Sequence, residues 1–141
     1  MVWLSPKKVK GKTYKDMLRA IFKSCDMCYL SFYKDNDNME IHTRLQEKII
    51  DIHTIDLGEK EIRYPEYEDE IALRVDYDLI DELKHYETFR QFFDRTGCIS
   101  IEFASQGKLL FSLDLEDMII RITHRELFPL HYLGDYTKLF R

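Results

Sequence analysis

Several features that mark enzyme, secreted and membrane-protein sequences are scarce or absent in this chain of 141 residues. Its three cysteines are too few for a disulfide framework, which favours a reducing, intracellular compartment. Its five glycines form no GxxxxGK, GxGxxG or GxSxG sequence, so the common phosphate-binding loops and nucleophile elbows are excluded. The apolar runs are short, and the N-terminus lacks the apolar segment of a signal peptide. The sequence therefore predicts neither a membrane span nor a secretion signal.

The residues that are present suit a folded acidic domain with one basic end. Hydrophobic residues make up 45% and aromatic residues 13% of the chain, which is enough for a core. The net charge is −5, but residues 1–34 carry eight Lys/Arg and two Asp, whereas the remainder carries 13 Lys/Arg and 24 Asp/Glu. The first part is thus +6 and the rest −11. This separation indicates two surfaces with different partners.

Two short stretches of the sequence match each other at an offset of 70 residues. EKIIDI at 47–52 and EDMIIRI at 116–122 both carry an Ile-Ile pair, a charge and a further Ile. Upstream of each stretch, apolar residues alternate with period two, which is typical of half-buried strands separated by a hairpin turn. The predicted strands, in matching pairs, are 29–33 and 99–103, 39–45 and 109–115, and 47–55 and 116–124.

A segment with helical periodicity precedes each group of strands. These segments are 13–25 and 78–96, and the strands that lead into them are predicted at 2–4 and 70–77. The sequence therefore predicts an α+β fold with a duplicated β-α-β-β-β unit. The predicted single domain covers 1–125, with halves 1–57 and 70–125 joined by the acidic stretch 58–69, and an apolar C-terminal tail follows at 126–141.

Both predicted helices place cations opposite their apolar side. On the first helix these are Lys12, Lys15, Arg19 and Lys23, and on the second they include Lys84 and Arg95. Cations at helical spacing can neutralise the phosphates of a nucleic acid without reading its bases. The alternative interpretation is the ordinary solvated face of a surface helix.

The doubled unit with its basic outward helix faces resembles one domain of the sliding DNA clamps, the PCNA-like superfamily that includes the checkpoint clamp subunits. The resemblance lies in residues 17–43 and 73–122, where a helix ending in paired aromatics is followed by strands. It implies two helices on one face of curved antiparallel sheets. A clamp subunit carries two such domains and this chain carries one, so a fragment, a half-clamp and a domain with another use all remain open.

The resemblance also implies a function. It implies a non-enzymatic subunit, without catalytic residues, metal or cofactor, in an oligomeric ring around double-stranded DNA. The residues facing DNA would be Lys12, Lys15, Arg19, Lys23, Lys84 and Arg95. The implied partners are other clamp subunits and replication, repair or DNA-damage-checkpoint proteins, in the nucleus if the source is eukaryotic.

The C-terminal tail is rich in large apolar residues. Leu127, Phe128, Tyr136 and Phe140 are the candidates for binding a partner. Alternatively, the tail covers a sheet edge. The residue pattern leaves both alternatives open.

Residues with metal or redox chemistry are present but poorly spaced. Cys25 and Cys28 form a lone CxxC pair, and Cys98 matches Cys28 in the repeat, which favours small core residues over a zinc site. His42 and His53 are predicted on neighbouring strands without a recognised ligand motif. The main alternative to a clamp subunit is therefore a small acidic protein-binding module of the inhibitor or immunity type. A metal-dependent nucleic-acid enzyme is the third hypothesis.

Overall fold

The computed structural model describes residues 1–35 and 44–141, and these residues form an α+β fold with one six-stranded antiparallel sheet and three α-helices. The strands are β1 (Val2–Leu4), β2 (Met27–Tyr33), β3 (Glu68–Arg74), β4 (Cys98–Ser105), β5 (Lys108–Asp114) and β6 (Ile120–Ile122). The helices are α1 (Lys12–Ser24), α2 (Tyr77–Lys84) and α3 (Phe89–Thr96). The strand order is β1-β6-β5-β4-β2-β3.

The two faces of the sheet are covered differently. On β2, Cys28, Leu30 and Phe32 point to the helices and join the main core, because successive side chains of a strand point to opposite faces. Tyr29 points to the other face, where it packs with Ile52 in a second, smaller cluster. The helices therefore cover one face of the sheet, and the segment from about residue 50 to residue 60 covers part of the other face.

The first half of the chain does not complete the predicted repeat. The third strand predicted over 47–55 is wrong, since short 3-10 turns occupy Gln46–Lys48 and Ile52–Thr54, and between them Ile50 forms only an isolated bridge with Ala72. The Asp51 carboxylate accepts a hydrogen bond from the His53 N–H, which favours a turn over an extended strand.

Both sides of β2 in the sheet are occupied by strands of the described residues, β4 on one side and β3 on the other. β3 pairs directly with β2 over seven register positions, and so takes the place beside β2 that a second strand of that half would fill. Most of that second strand, at 39–43, lies outside the described residues. In the second half, the strands predicted at 99–103, 109–115 and 116–124 correspond to β4, β5 and a shorter β6. The described residues therefore show an α+β fold, and they do not confirm a doubled β-α-β-β-β unit.

The single helix predicted over 78–96 is two helices. α2 begins after Asp76, whose carboxylate accepts the Leu79 N–H, and it ends at Lys84. A new helix then starts at Thr88, whose hydroxyl accepts the Gln91 N–H while the Gln91 side chain accepts the Glu87 N–H. This reciprocal arrangement resembles a capping box, which fixes a helix start. The buried side of the segment is as the periodicity predicts, because Leu79, Leu83, Tyr86, Phe89 and Phe93 are all buried.

Both outer edges of the sheet are partly covered by the chain itself. The C-terminal tail lies along β1, where Leu4 forms a bridge with Phe140, and the Ser5 N–H donates to the Leu139 carbonyl at 2.8 Å. The Ile50 bridge covers part of β3. Covered edges disfavour strand addition by another chain.

A close contact between Gly58 and Gly107 joins the segment on the second face of the sheet to the β4–β5 turn. Gly58 has φ of +58°, and a Cβ built on it would lie 2.3 Å from the Gly107 carbonyl oxygen. We expect Gly58→Ala to destabilise the fold by more than the roughly 1–2 kcal/mol of a left-handed alanine alone. Thermal unfolding measures the loss of stability. Gly107→Ala is the matched control, because its φ is +82° but its added Cβ would meet only the Gly58 Cα at 3.5 Å. Equal losses of stability in the two variants would contradict the close approach of Gly58 to the Gly107 carbonyl oxygen.

Candidate nucleic-acid interface

A cleft of about 950 Å³ lies between the start of α1 and the corner that joins α2 to α3. We call it the basic cleft. Its charged lining residues are Lys10, Lys12, Lys15, Lys84 and Glu87, and His85 lies among them. The cations on α1 and on the corner are thus brought to one concave surface, although they are far apart in the sequence.

Buried tyrosine packing holds the two sides of the basic cleft together. The Tyr14 hydroxyl on α1 donates to the Leu83 carbonyl on α2 at 2.8 Å, and the Tyr14 ring meets the Phe89 ring edge-on at 5.0 Å. Burial, and next the neighbouring Tyr86, raise the pKa of Tyr14, so its hydroxyl stays a neutral donor. The capping arrangement at Thr88 fixes the other wall. The two walls that carry the lysines are therefore joined by buried contacts.

A second groove, of about 500 Å³, adjoins the basic cleft, and Thr88 lines both. Lys7, Arg90 and Arg141 line this second groove together with Asp117. Seven Lys/Arg and two carboxylates line the two grooves. Two of the seven cations are paired with carboxylates outside the lining, Lys12 with Asp16 and Arg90 with Asp94. The groove's carboxylate is already engaged, because Arg121 donates to Asp117 at 2.6 Å and holds the pKa of that carboxyl below its usual value.

The structure brings together only part of the predicted DNA-facing set. Lys12, Lys15 and Lys84 line the basic cleft, where Lys12 also pairs with Asp16 at 2.8 Å. The other predicted cations, Arg19, Lys23 and Arg95, are exposed but lie outside the cleft. The Arg19 guanidinium lies 5.2 Å from the centre of the Tyr132 ring.

The sequence analysis missed several cations of these grooves. Lys7, Lys10, Arg90 and Arg141 come from loops, a helix and the C-terminus, so no single periodic pattern contains them. One signal was available, since the Thr88-x-x-Gln91 spacing marks a helix start and therefore a corner beside Lys84.

The four candidate partner-binding residues of the tail have different surroundings. Leu127 and Phe140 are about two-fifths exposed, at 41% and 42%. Tyr136 is half-buried and its hydroxyl accepts a hydrogen bond from Arg125 at 2.7 Å. Phe128 is buried in the main core, so its side chain holds the tail on the domain. A partner role for Leu127 and Phe140 stays a prediction.

The three cysteines are buried thiols. Burial is the main cause that raises the pKa of Cys25 and of Cys98, each to about 12, and the pKa of Cys28 well above its ordinary value. These side chains therefore stay protonated at neutral pH. Within residues 1–35 and 44–141, no group of three or more His, Cys, Asp or Glu is arranged to hold a metal ion. His42 lies outside that part of the chain, and His53 is exposed.

Comparison of the chain with protein-family models, with curated proteins and with solved structures gives no match. None of the helices in the described part of the chain has the length and apolarity of a membrane span.

Proposed function

We propose that this protein is a non-enzymatic binder of double-stranded DNA that contacts the phosphate backbone through the basic cleft and the adjoining groove. One observation carries the proposal. Seven Lys/Arg against two carboxylates line two grooves that meet at Thr88, in a chain whose net charge is −5. Such a concentration of cations in an acidic protein favours a polyanionic ligand.

The character of the cleft favours a phosphate backbone over exposed bases. Its aromatic lining residues, Tyr14 and Tyr86, are buried, so they offer no stacking platform for the bases of a single strand. Lysine ammonium groups act as point charges on flexible stems, which suits sequence-independent contact with phosphates.

The clamp-like part of the proposal concerns how the protein stays on DNA. A ring built by pairing strands at the sheet edges would have to displace the tail from β1 and Ile50 from β3. We therefore propose that a single copy suffices for backbone binding. Ring assembly and the recruitment of replication, repair or checkpoint proteins stay predictions of the clamp resemblance.

Light scattering over a concentration series measures the absolute mass in solution. Because both sheet edges are partly covered, we expect a monomer near 17.1 kDa at every concentration. A closed oligomer of about six domains would contradict that expectation and would support a stand-alone ring.

Titration of a fluorescent DNA duplex with the protein over a salt series tests the proposed function. We expect binding at low salt and a logarithmic affinity that falls with the logarithm of salt with a slope of about −4, for roughly four neutralised phosphates. A single strand of the same length is the control, and it should bind more weakly. Absence of duplex binding at low salt, or an affinity independent of salt, would rule the proposal out.

A further inference from the structure

The sheet face opposite the helices carries a loop that two inward-pointing cations fix in place. The Lys60 ammonium is buried and lies 2.5 Å from Glu70 and 2.7 Å from Glu102, and it also donates to the Glu61 carbonyl at 2.7 Å. The carboxylate contacts are ion pairs by distance, without the alignment of hydrogen bonds. Since Glu70 and Glu102 belong to β3 and β4, Lys60 binds the loop to two strands.

Arg63 is the second of these cations. Its guanidinium lies 3.0 Å from Glu68 and 2.8 Å from Asp114, and its backbone N–H donates to Glu70 at 2.7 Å. At the start of the loop, the Glu59 carboxylate accepts the Leu109 N–H at 2.8 Å. Loop 59–67 is therefore held to β3, β4 and β5 by its charged side chains.

The outer side of this loop exposes large apolar side chains. Tyr64 is 57% exposed, Tyr67 is 67% exposed, and Tyr33 at the end of β2 is 53% exposed, with Ile62 partly exposed nearby. Tyr64 lines two grooves, of about 480 and 380 Å³, and Tyr33 lines the smaller one. We call this surface, made of Tyr33, Ile62 and Tyr64 with Glu61 and Glu66 beside them, the acidic tyrosine face.

The charge of the two grooves is strongly negative. Seven carboxylates and one cation, Arg63, line them. Arg63 is paired with Glu68 and Asp114, and the buried Lys60 is paired with Glu102, so carboxylates remain in excess. The charge of this surface is therefore opposite to that of the basic cleft. The surface lies on the side of the sheet that faces away from the helices. A nucleic acid would be repelled from this surface, whereas a cationic segment would be attracted to it.

We propose that the acidic tyrosine face docks an arginine- or lysine-rich segment of a partner protein. Tyrosine side chains supply contact area, and arginine stacks on their rings. The loop is ordered by Lys60 and Arg63 before any partner arrives, so little conformational entropy is lost on binding. The partner site and the basic cleft lie on different layers of the domain, so one molecule can hold DNA and a basic protein segment together.

Binding of a short fluorescent peptide of alternating arginine and glycine, measured by anisotropy at moderate salt, tests this proposal. We expect the double variant Tyr33→Ala/Tyr64→Ala to weaken peptide binding by about tenfold or more, as loss of interface hot spots does. The double variant Glu61→Lys/Glu66→Lys should abolish it. The matched control is Glu47→Lys/Asp81→Lys, which makes the same charge change at exposed residues away from the face.

The outcomes separate a built surface from simple charge attraction. Two results together would support the proposal. The control variant should bind the peptide like the unaltered protein, and the tyrosine variant should still bind duplex DNA normally. Failure of the unaltered protein to bind the peptide would overturn it, as would equal losses in the face and control variants. Self-association of the unaltered protein that the tyrosine variants abolish would also overturn it, because the occupant would then be a second copy.

Discussion

The triple variant Lys10→Glu/Lys15→Glu/Lys84→Glu is expected to lower the affinity for duplex DNA roughly 100-fold at low salt, and to reduce the salt slope by about three. These residues line both walls of the basic cleft, so their reversal replaces three attractive charges with three repulsive ones on one surface. All three are exposed, so the fold should be retained. Fluorescence anisotropy with a labelled duplex measures the affinity, and thermal unfolding verifies the fold.

The matched control for this variant is Lys34→Glu/Lys108→Glu/Lys138→Glu. These lysines are also exposed, and the change in net charge is the same, but none of them lines the basic cleft or the adjoining groove. We expect the control to bind the duplex within about threefold of the unaltered protein, because lysines outside both grooves do not neutralise the phosphates that the grooves would contact. Similar losses in both variants would mean that net charge, and not the cleft, determines binding.

Lys60→Met is expected to destabilise the protein by about 3–5 kcal/mol, because it leaves buried carboxylates without their counter-charge. Glu70 is almost fully buried beside Lys60, and Glu102 nearly so. Urea unfolding at neutral pH measures the loss. The triple variant Lys60→Met/Glu70→Gln/Glu102→Gln is the control, and it should recover much of the stability, because replacing a whole buried ion cluster costs less than removing one member.

The loss in Lys60→Met should also depend on pH. Burial raises the pKa of Glu102, and Lys60 opposes that rise, so removing Lys60 raises the pKa further. Between the ordinary glutamate pKa and the raised one, the folded variant binds a proton that the unfolded chain does not. Stability of the variant should therefore fall as the pH rises through that window and should be closest to that of the unaltered protein at low pH. A deficit that grows as the pH falls would contradict this account.

The strands of the second half could be predicted from the sequence because local patterns and tertiary pairing agree there. β4 and β5 alternate with period two, and Gln106–Gly107 supplies a tight turn between them. α1 was equally predictable, since its apolar side and its cations separate around the helix. In these segments, the apolar residues of the sequence recur at the spacing of the element, so periodicity is enough.

The first half after β2 could not be predicted in the same way. The Ile-Ile stretch at 47–52 has the composition of β6, but its neighbour in the sheet is β3, with which only Ile50 forms an isolated bridge. This is a tertiary outcome that no local pattern reports. Ile52 instead packs on the second face of the sheet with Tyr29. The isoleucines thus satisfy their need for burial without forming a strand.

The candidate sites depended even more on the tertiary fold. Helical spacing identified Lys12 and Lys15, but only the α2–α3 corner brings Lys84 beside them, and the capping interactions of Thr88 create that corner. The acidic stretch was recognised as a joint between halves, whereas Lys60 and Arg63 within it point inward and order the tyrosines. A charge count cannot distinguish inward from outward side chains.

Mapping of backbone amide chemical shifts by NMR, on the unaltered protein titrated with a short duplex, tests the central claim most directly. The account predicts that the largest shifts fall at the basic cleft and the adjoining groove, around Lys15, Lys84 and Thr88. Amides near Tyr33, Tyr64 and Tyr67 should remain unperturbed. Shifts centred on the acidic tyrosine face, or no shifts at low salt, would contradict the account.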